Sequence, residues 1–210
     1  MVEVTITATV AGVSIYLLGM LLGITIGLLT YRGFNITKSP TMLRLSIAFI
    51  SIGLGFMVSA IDIYYSAGSF SMVSTALDAV GYAFIALAYS VQKGFKYMVP
   101  LLILLTFAIY PFFTIPGNSL EYVTKAIAFM LIVYGSTQGM VLSLASKKAS
   151  SLIIVSGISL LAIAEFIDWY SMIFHNSLYN YLASIIKVSG ISAILITIYM
   201  LIKRMVRINA

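Results

Sequence analysis

The chain has 210 residues, of which 61% are hydrophobic and only 9% are charged, and its mean hydropathy is +1.10. Soluble domains are about a quarter charged, so the composition excludes a soluble protein and indicates a multi-pass protein of the cell membrane. The expected partner is therefore the lipid bilayer. The absence of cysteine excludes disulfides and thiolate metal sites, and a single histidine excludes a multi-histidine centre. We expect no metal and no other cofactor.

Seven apolar segments follow one another along the chain, each close to the ~20 residues that a helix needs to cross a bilayer. They predict an all-α membrane protein, a single transmembrane domain over 1–210 with short loops and no soluble domain. The fourth segment is the shortest, because Pro111 is expected to kink or end it. The seven segments are 4–31, 43–66, 71–92, 97–115, 120–146, 149–174 and 179–206.

Basic residues alternate between the two ends of these segments. They follow the first, third, fifth and seventh segments, whereas the loops 67–70, 116–119 and 175–178 contain no Lys or Arg. Because positive charge marks the cytoplasmic side of a membrane protein, we expect the N-terminus outside and the C-terminus in the cytoplasm. The same rule explains the net charge of +6 without nucleic acid, and none is expected as a partner.

The second and third segments resemble the sixth and seventh. Ala79-Val80-Gly81 aligns with Val188-Ser189-Gly190, which sets Asp78 opposite Lys187 at a spacing of 109, while Asp62 aligns with Asp168 at 106. The pattern is typical of a parallel 3+1+3 duplication, with repeats 1–94 and 120–207 linked by the helix 97–115. A duplication of this kind would place a site between the halves.

Charged side chains at membrane depth give the candidate site. Helical rise places five of them in the outer half of the bilayer. Such residues are costly in lipid and usually face a partner, water or a ligand. The principal candidates for binding a ligand or ion are Asp78, Glu165, Asp168 and Lys187, and the secondary ones are Asp62, Tyr82 and Ser184.

Two interpretations of these residues stay open. In one, Lys187 and Asp78 form a structural ion pair, and Asp62 and Asp168 lie near the interface, where they cap loops or are wetted by solvent. In the other, these residues line a polar cavity open to the outside. Glu165 and Asp168, three residues apart on one helix, would repel each other, so we expect one to be protonated or both to face water or a cation. Lys125, one turn inside its helix, is expected to extend outward to the interface.

The seven-helix layout, with a lysine in the seventh helix and an aspartate in the outer part of the third, resembles that of microbial rhodopsins. The resemblance implies that Lys187 would carry retinal as a Schiff base and that Asp78 would be its counter-ion. The chain departs from that family at two positions. The family has an acidic residue where this chain has Ala183, and an arginine where this chain has Thr75. The 3+1+3 arrangement is also similar to SWEET-type sugar transporters, although their Pro-Gln loop signature is absent.

Three functions therefore remain. The first is binding or transport of a small cation, a proton or a small polar ligand. The second is a non-catalytic subunit of a larger membrane complex, and the third is a rhodopsin-like sensor with a ligand at Lys187. No catalytic motif is present, and we expect no enzyme activity. The Gly23/Gly27 spacing predicts close helix packing, either within the chain or in a homodimer or with other membrane subunits.

Overall fold

The computed structural model describes residues 2–65, 70–90, 119–174 and 177–209, all of which lie in helices or in short joints between them. Each of the six helices in these ranges is long and apolar enough to cross a membrane, which is the architecture of a helical multi-pass membrane protein. The predicted fourth segment, 97–115, lies outside the described residues. The helices are α1 Val2–Thr37, α2 Pro40–Tyr65, α3 Ser71–Tyr89, α4 Ser119–Ser146, α5 Ala149–Phe174 and α6 Ser177–Asn209.

The joints between helices are shorter than the apolar segments predicted. The first segment was expected to end at residue 31 and the second to begin at 43, but α1 continues to Thr37 and α2 begins at Pro40. Polar residues beyond the bilayer core can extend a helix, and proline fits its first turn. Lys38 turns the chain with a φ of 53°. The joint at Lys147 and Lys148 is confirmed where it was predicted.

The described helices form a closed ring in chain order. Each packs on the helix before it and the helix after it; α3 packs on α4, and α1 closes the ring against α6. Branched side chains that are completely buried fill the middle of the ring: Ile52, Ile85, Ile132, Ile158 and Ile194. The ring therefore has an apolar centre, with a different chemistry at each end.

The end of the ring where α1 and α4 finish is basic. It carries Lys38 and Lys147 at its joints, and Arg44 donates a 2.8 Å hydrogen bond from Nη1 to the carbonyl oxygen of Leu87. This bond ties the start of α2 to the end of α3, as expected for antiparallel neighbours. We call this the basic end and the opposite one the cavity end.

Glycines bring α1 and α2 into backbone contact. A Cβ atom at Gly23 would lie 2.9 Å from the Cα of Gly53, and one at Gly27 would lie 3.2 Å from the carbonyl oxygen of Ser46. Ser46 adds a 2.8 Å hydrogen bond from its hydroxyl to the carbonyl oxygen of Gly27. The Gly23/Gly27 motif thus packs within the chain, the first of the two alternatives that the sequence left open.

Replacing Gly23 with alanine tests this packing. Because the new methyl group would press on backbone that cannot rotate away, we expect Gly23→Ala to lower the free energy of unfolding by about 1–3 kcal/mol. Gly12→Ala is the matched control, since its Cβ would meet side-chain atoms of Tyr181 and Ile63 at 3.8 and 3.9 Å. Thermal unfolding of the purified protein in detergent measures both, and equal midpoints would contradict the account.

Candidate functional site

A cavity of about 190 Å³ lies at the cavity end, and every described helix contributes to it. Most of its lining side chains are hydroxyl, amide, carboxyl or ammonium groups. The lining residues are Tyr16, Ser59, Asp62, Ile63, Ser71, Ser74, Thr75, Asp78, Glu121, Lys125, Ala164, Asp168, Met172, Asn180, Ala183, Ser184 and Lys187. All the predicted site residues except Glu165 and Tyr82 are among them, and those two lie directly behind the lining.

The ammonium group of Lys187 forms the floor of the cavity. Its Nζ lies 2.6 Å from Oδ2 of Asp78 and also pairs with Oε1 of Glu165. The Tyr82 hydroxyl donates a 2.7 Å hydrogen bond to the same Glu165 oxygen. Glu165 is only 2% exposed and Tyr82 is fully buried. One cation from α6 thus binds a carboxylate from α3 and another from α5.

Aromatic rings complete the surroundings of this ammonium group. The Nζ of Lys187 lies 5.6 Å from the ring centroid of Phe56 and 5.7 Å from that of Tyr82. Both distances are within the range of cation–π attraction. Because α3 and α6 face each other across the ring without packing directly, the Lys187–Asp78 pair is a bridge through its centre.

A second ion pair stands on the wall of the cavity. Lys125 of α4 pairs with Oδ2 of Asp168 on α5, and the side chains of both are about 15% exposed or less. The expectation that Lys125 extends outward is therefore wrong.

The predicted repulsion between Glu165 and Asp168 is offset because each carboxylate pairs with a different lysine. The two carboxylates lie on one helix, but Glu165 pairs with Lys187 and Asp168 pairs with Lys125. Each negative charge thus has its own positive neighbour, so the sequence argument for protonating one of them loses its basis.

Hydroxyl groups line the remaining walls. The hydroxyl groups of Ser184 and Tyr16 form a 2.9 Å hydrogen bond, which the sequence argument missed because nothing marked that tyrosine among fourteen. The hydroxyls of Ser59 and Ser74 lie 2.6 Å apart. Asp62 caps the start of α3, because its Oδ1 accepts a 3.0 Å hydrogen bond from the backbone N–H of Phe70, while it also lines the cavity.

Negative charge is in excess around the cavity. Five of the six acidic residues of the chain line it or lie at its floor, facing two lysines. Two buried carboxylate oxygens, Oδ1 of Asp78 and Oδ1 of Asp168, have no hydrogen-bond partner among the residues that the structure describes. The site therefore offers acceptor atoms and negative charge, which suit a cation or a hydrogen-bond donor.

The lining has a regular spacing along the sequence. Fourteen of its seventeen residues form seven pairs that are 109 positions apart, each with one residue from α1–α3 and one from α4–α6. The pairs are Tyr16/Lys125, Ser59/Asp168, Ile63/Met172, Ser71/Asn180, Ser74/Ala183, Thr75/Ser184 and Asp78/Lys187.

No protein-family model, curated protein or solved structure matches this chain. Within the described ranges, no group of three or more His, Cys, Asp or Glu side chains is arranged to hold a metal ion.

Removing the lysine at the floor tests how its charge is shared. Lys187→Met leaves two buried carboxylates unpaired, and we expect a loss of roughly 3–5 kcal/mol in unfolding free energy. Adding Asp78→Asn should restore only part of this stability, because Glu165 still lacks its partner. Adding Glu165→Gln as well should restore most of it.

Thermal unfolding of the wild type and the three variants measures this series. Full recovery with Lys187→Met and Asp78→Asn alone would show that Glu165 does not share the ammonium group.

Proposed function

We propose that this integral membrane protein binds a small monovalent cation, inorganic or ammonium, in the polar cavity at its outer end. The main observation behind this proposal is that Oδ1 of Asp78 and Oδ1 of Asp168 are buried without a hydrogen-bond partner among the described residues. They belong to a cavity that is lined by more carboxylates than lysines. A buried carboxylate oxygen without a partner is costly, so a cation that coordinates this second oxygen removes that cost and gains affinity from it.

The size of the cavity supports a small ligand. Drug-sized ligands occupy pockets of about 300–1,000 Å³, whereas this cavity measures about 190 Å³. An engineered cavity of about 150 Å³ holds benzene. A hydrated alkali ion or an ammonium compound of a few heavy atoms therefore fits.

The proposed topology places this cavity on the outside. Seven spans with the N-terminus outside, the predicted 97–115 helix included, put the basic end in the cytoplasm under the positive-inside rule. The six described helices agree with this alternation, since Lys38 and Lys147 lie at one end of the ring and the cavity at the other. The ligand would then enter from the outer solution.

Binding is favoured over conduction through the ring. Below the floor formed by Lys187, the centre is filled by buried side chains such as Ile52, Ile85 and Ile194. A cation that reached the floor would meet these apolar groups, so transport would require the ring to rearrange.

The other two functions are less well supported by the site. A retinal-like chromophore needs a large apolar pocket, whereas the lining here is small and mostly polar, and Lys187 already holds two carboxylates. A role as a subunit of a larger membrane complex needs an outward-facing surface of specific shape, and the glycine motif that could have supplied one is used between α1 and α2.

Thermal unfolding with added cations tests the proposal. The purified chain is heated in chlorides of Na⁺, K⁺, Rb⁺ and methylammonium, with N-methylglucamine keeping the ionic strength constant. At ten times its Kd, a bound cation adds about 1.4 kcal/mol, which corresponds to a rise in midpoint of about 3–6 °C for a chain of this size. No rise with any of the four would contradict the proposal.

Neutralising a charge at each end of the ring supplies the control. Glu121→Gln removes one negative charge from the cavity and should weaken cation binding several-fold, because the local potential falls. Lys148→Gln changes an exposed residue at the basic end and should leave the apparent Kd unchanged.

A further inference from the structure

The spacing of 109 seen in the cavity also relates contacts elsewhere in the ring. A Cβ atom at Gly81 would lie 2.9 Å from the carbonyl oxygen of Ala48, and one at Gly190 would lie 2.7 Å from that of Gly157. Both glycines and both partners are 109 positions apart. The crossing of α2 and α3 thus repeats in the crossing of α5 and α6.

The joints repeat at the same spacing. Lys38 and Lys147 each follow the last residue of a helix, and both have a φ of 53°. In each case the next helix begins two residues later. This spacing pairs Asp62 with Ser171, so the contacts favour 109 over the 106 that matched Asp62 with Asp168 in the sequence.

We propose that α1–α3 and α4–α6 are two copies related by an internal two-fold axis, and that the cavity on this axis binds its cation through the α1–α3 copy alone. Asp78 and Lys187 are counterparts that touch each other, at 2.6 Å. Two equivalent groups of a two-fold pair can meet only at the axis, so the axis runs through this ion pair.

The two halves of the cavity differ in charge. The α4–α6 half holds Lys125 and Asp168, which neutralise each other. Their counterparts in the α1–α3 half are Tyr16 and Ser59, which are neutral. The α4–α6 half contributes both lysines of the lining, whereas the α1–α3 half contributes carboxylates and hydroxyls but no lysine.

The hydrogen bonds of the α1–α3 half leave these acceptors free. Ser74 donates its only hydroxyl proton to the carbonyl oxygen of Gly55 at 3.0 Å, so Ser59 must be the donor in the 2.6 Å Ser59–Ser74 bond. The lone pairs of Ser59 then have no donor among the described residues, and neither has Oδ1 of Asp78, in a residue that is only 9% exposed.

The absence of a side chain at Gly55 makes room for Oδ1 of Asp78 against α2. A Cβ atom there would lie 2.7 Å from Oδ1 of Asp78, whereas the counterpart in the other half, Ala164, already carries a methyl group. Ser59 lies one turn further out than Gly55 on α2, and Asp62 lies about one turn beyond Ser59. These residues form an acceptor-lined seam between α2 and α3 that we call the α2/α3 half-site.

Removing one hydroxyl tests the half-site, and this inference rests on the proposed function. Equilibrium dialysis with radiolabelled Rb⁺ and with radiolabelled methylammonium gives Kd for the full chain. We expect Ser59→Ala to raise Kd at least ten-fold for the cation that the wild type binds, because a hydrogen-bond acceptor to a charged group is lost.

Ser136→Ala is the matched control. Ser136 forms an equivalent 2.7 Å pair with Ser159, whose hydroxyl contacts the carbonyl oxygen of Val155 at 2.9 Å, and it lies outside the cavity lining. Its Kd should match that of the wild type. Equal Kd values for both variants in the presence of wild-type binding would overturn the half-site while leaving the proposed function standing, whereas no binding by the wild type would overturn both.

The two-fold relation has a separate test in the absence of cation. Lys125→Tyr with Asp168→Ser copies Tyr16 and Ser59 into the other half. Since the opposite side of the axis already accommodates this combination, the double variant should unfold at a higher temperature than Lys125→Tyr alone, which strands a buried carboxylate. A double variant that is no more stable than the single one would overturn the relation.

Discussion

The architecture depends on the ion pairs that the ammonium group of Lys187 forms with two carboxylates. A lysine at membrane depth must be paired, and here it is shared by Asp78 from α3 and Glu165 from α5. This sharing ties helices that face each other across the ring, where no helix-to-helix packing does so. It also sets the lower limit of the cavity, because the side chains beneath it are apolar and fully buried.

The contrast between the ends of the ring follows from how each charge is stabilised. Lys38, Lys147 and Lys148 at the basic end are exposed, whereas the acidic residues gather at the other end around two largely buried lysines. With five carboxylates and two lysines, the cluster is incomplete as a set of ion pairs. Under the proposed function, a bound cation would reduce this excess of negative charge, which would connect the cost of burying these groups to a role for them.

The sequence could predict the spans and the level of the charges, because apolar length and helical rise are local properties. The meeting of Asp78 with Lys187 could be predicted for the same reason, since both lie at one depth and each needs a partner. The pairing of Lys125 could not be predicted, because a lysine one turn from a helix end can reach either water or a carboxylate. Only the position of Asp168 decides between the two. The ring order was also beyond reach, as one apolar helix face resembles another.

A crystal structure of the full chain grown in rubidium chloride would test the central claim most directly. Anomalous scattering from Rb⁺ locates the ion without any assumption about its ligands. The account predicts an anomalous peak inside the cavity, within coordination distance of Asp78 Oδ1 and on the side of Ser59. A map with peaks at the protein surface and none in the cavity would contradict it, and the buried charges would then serve only to hold the ring together.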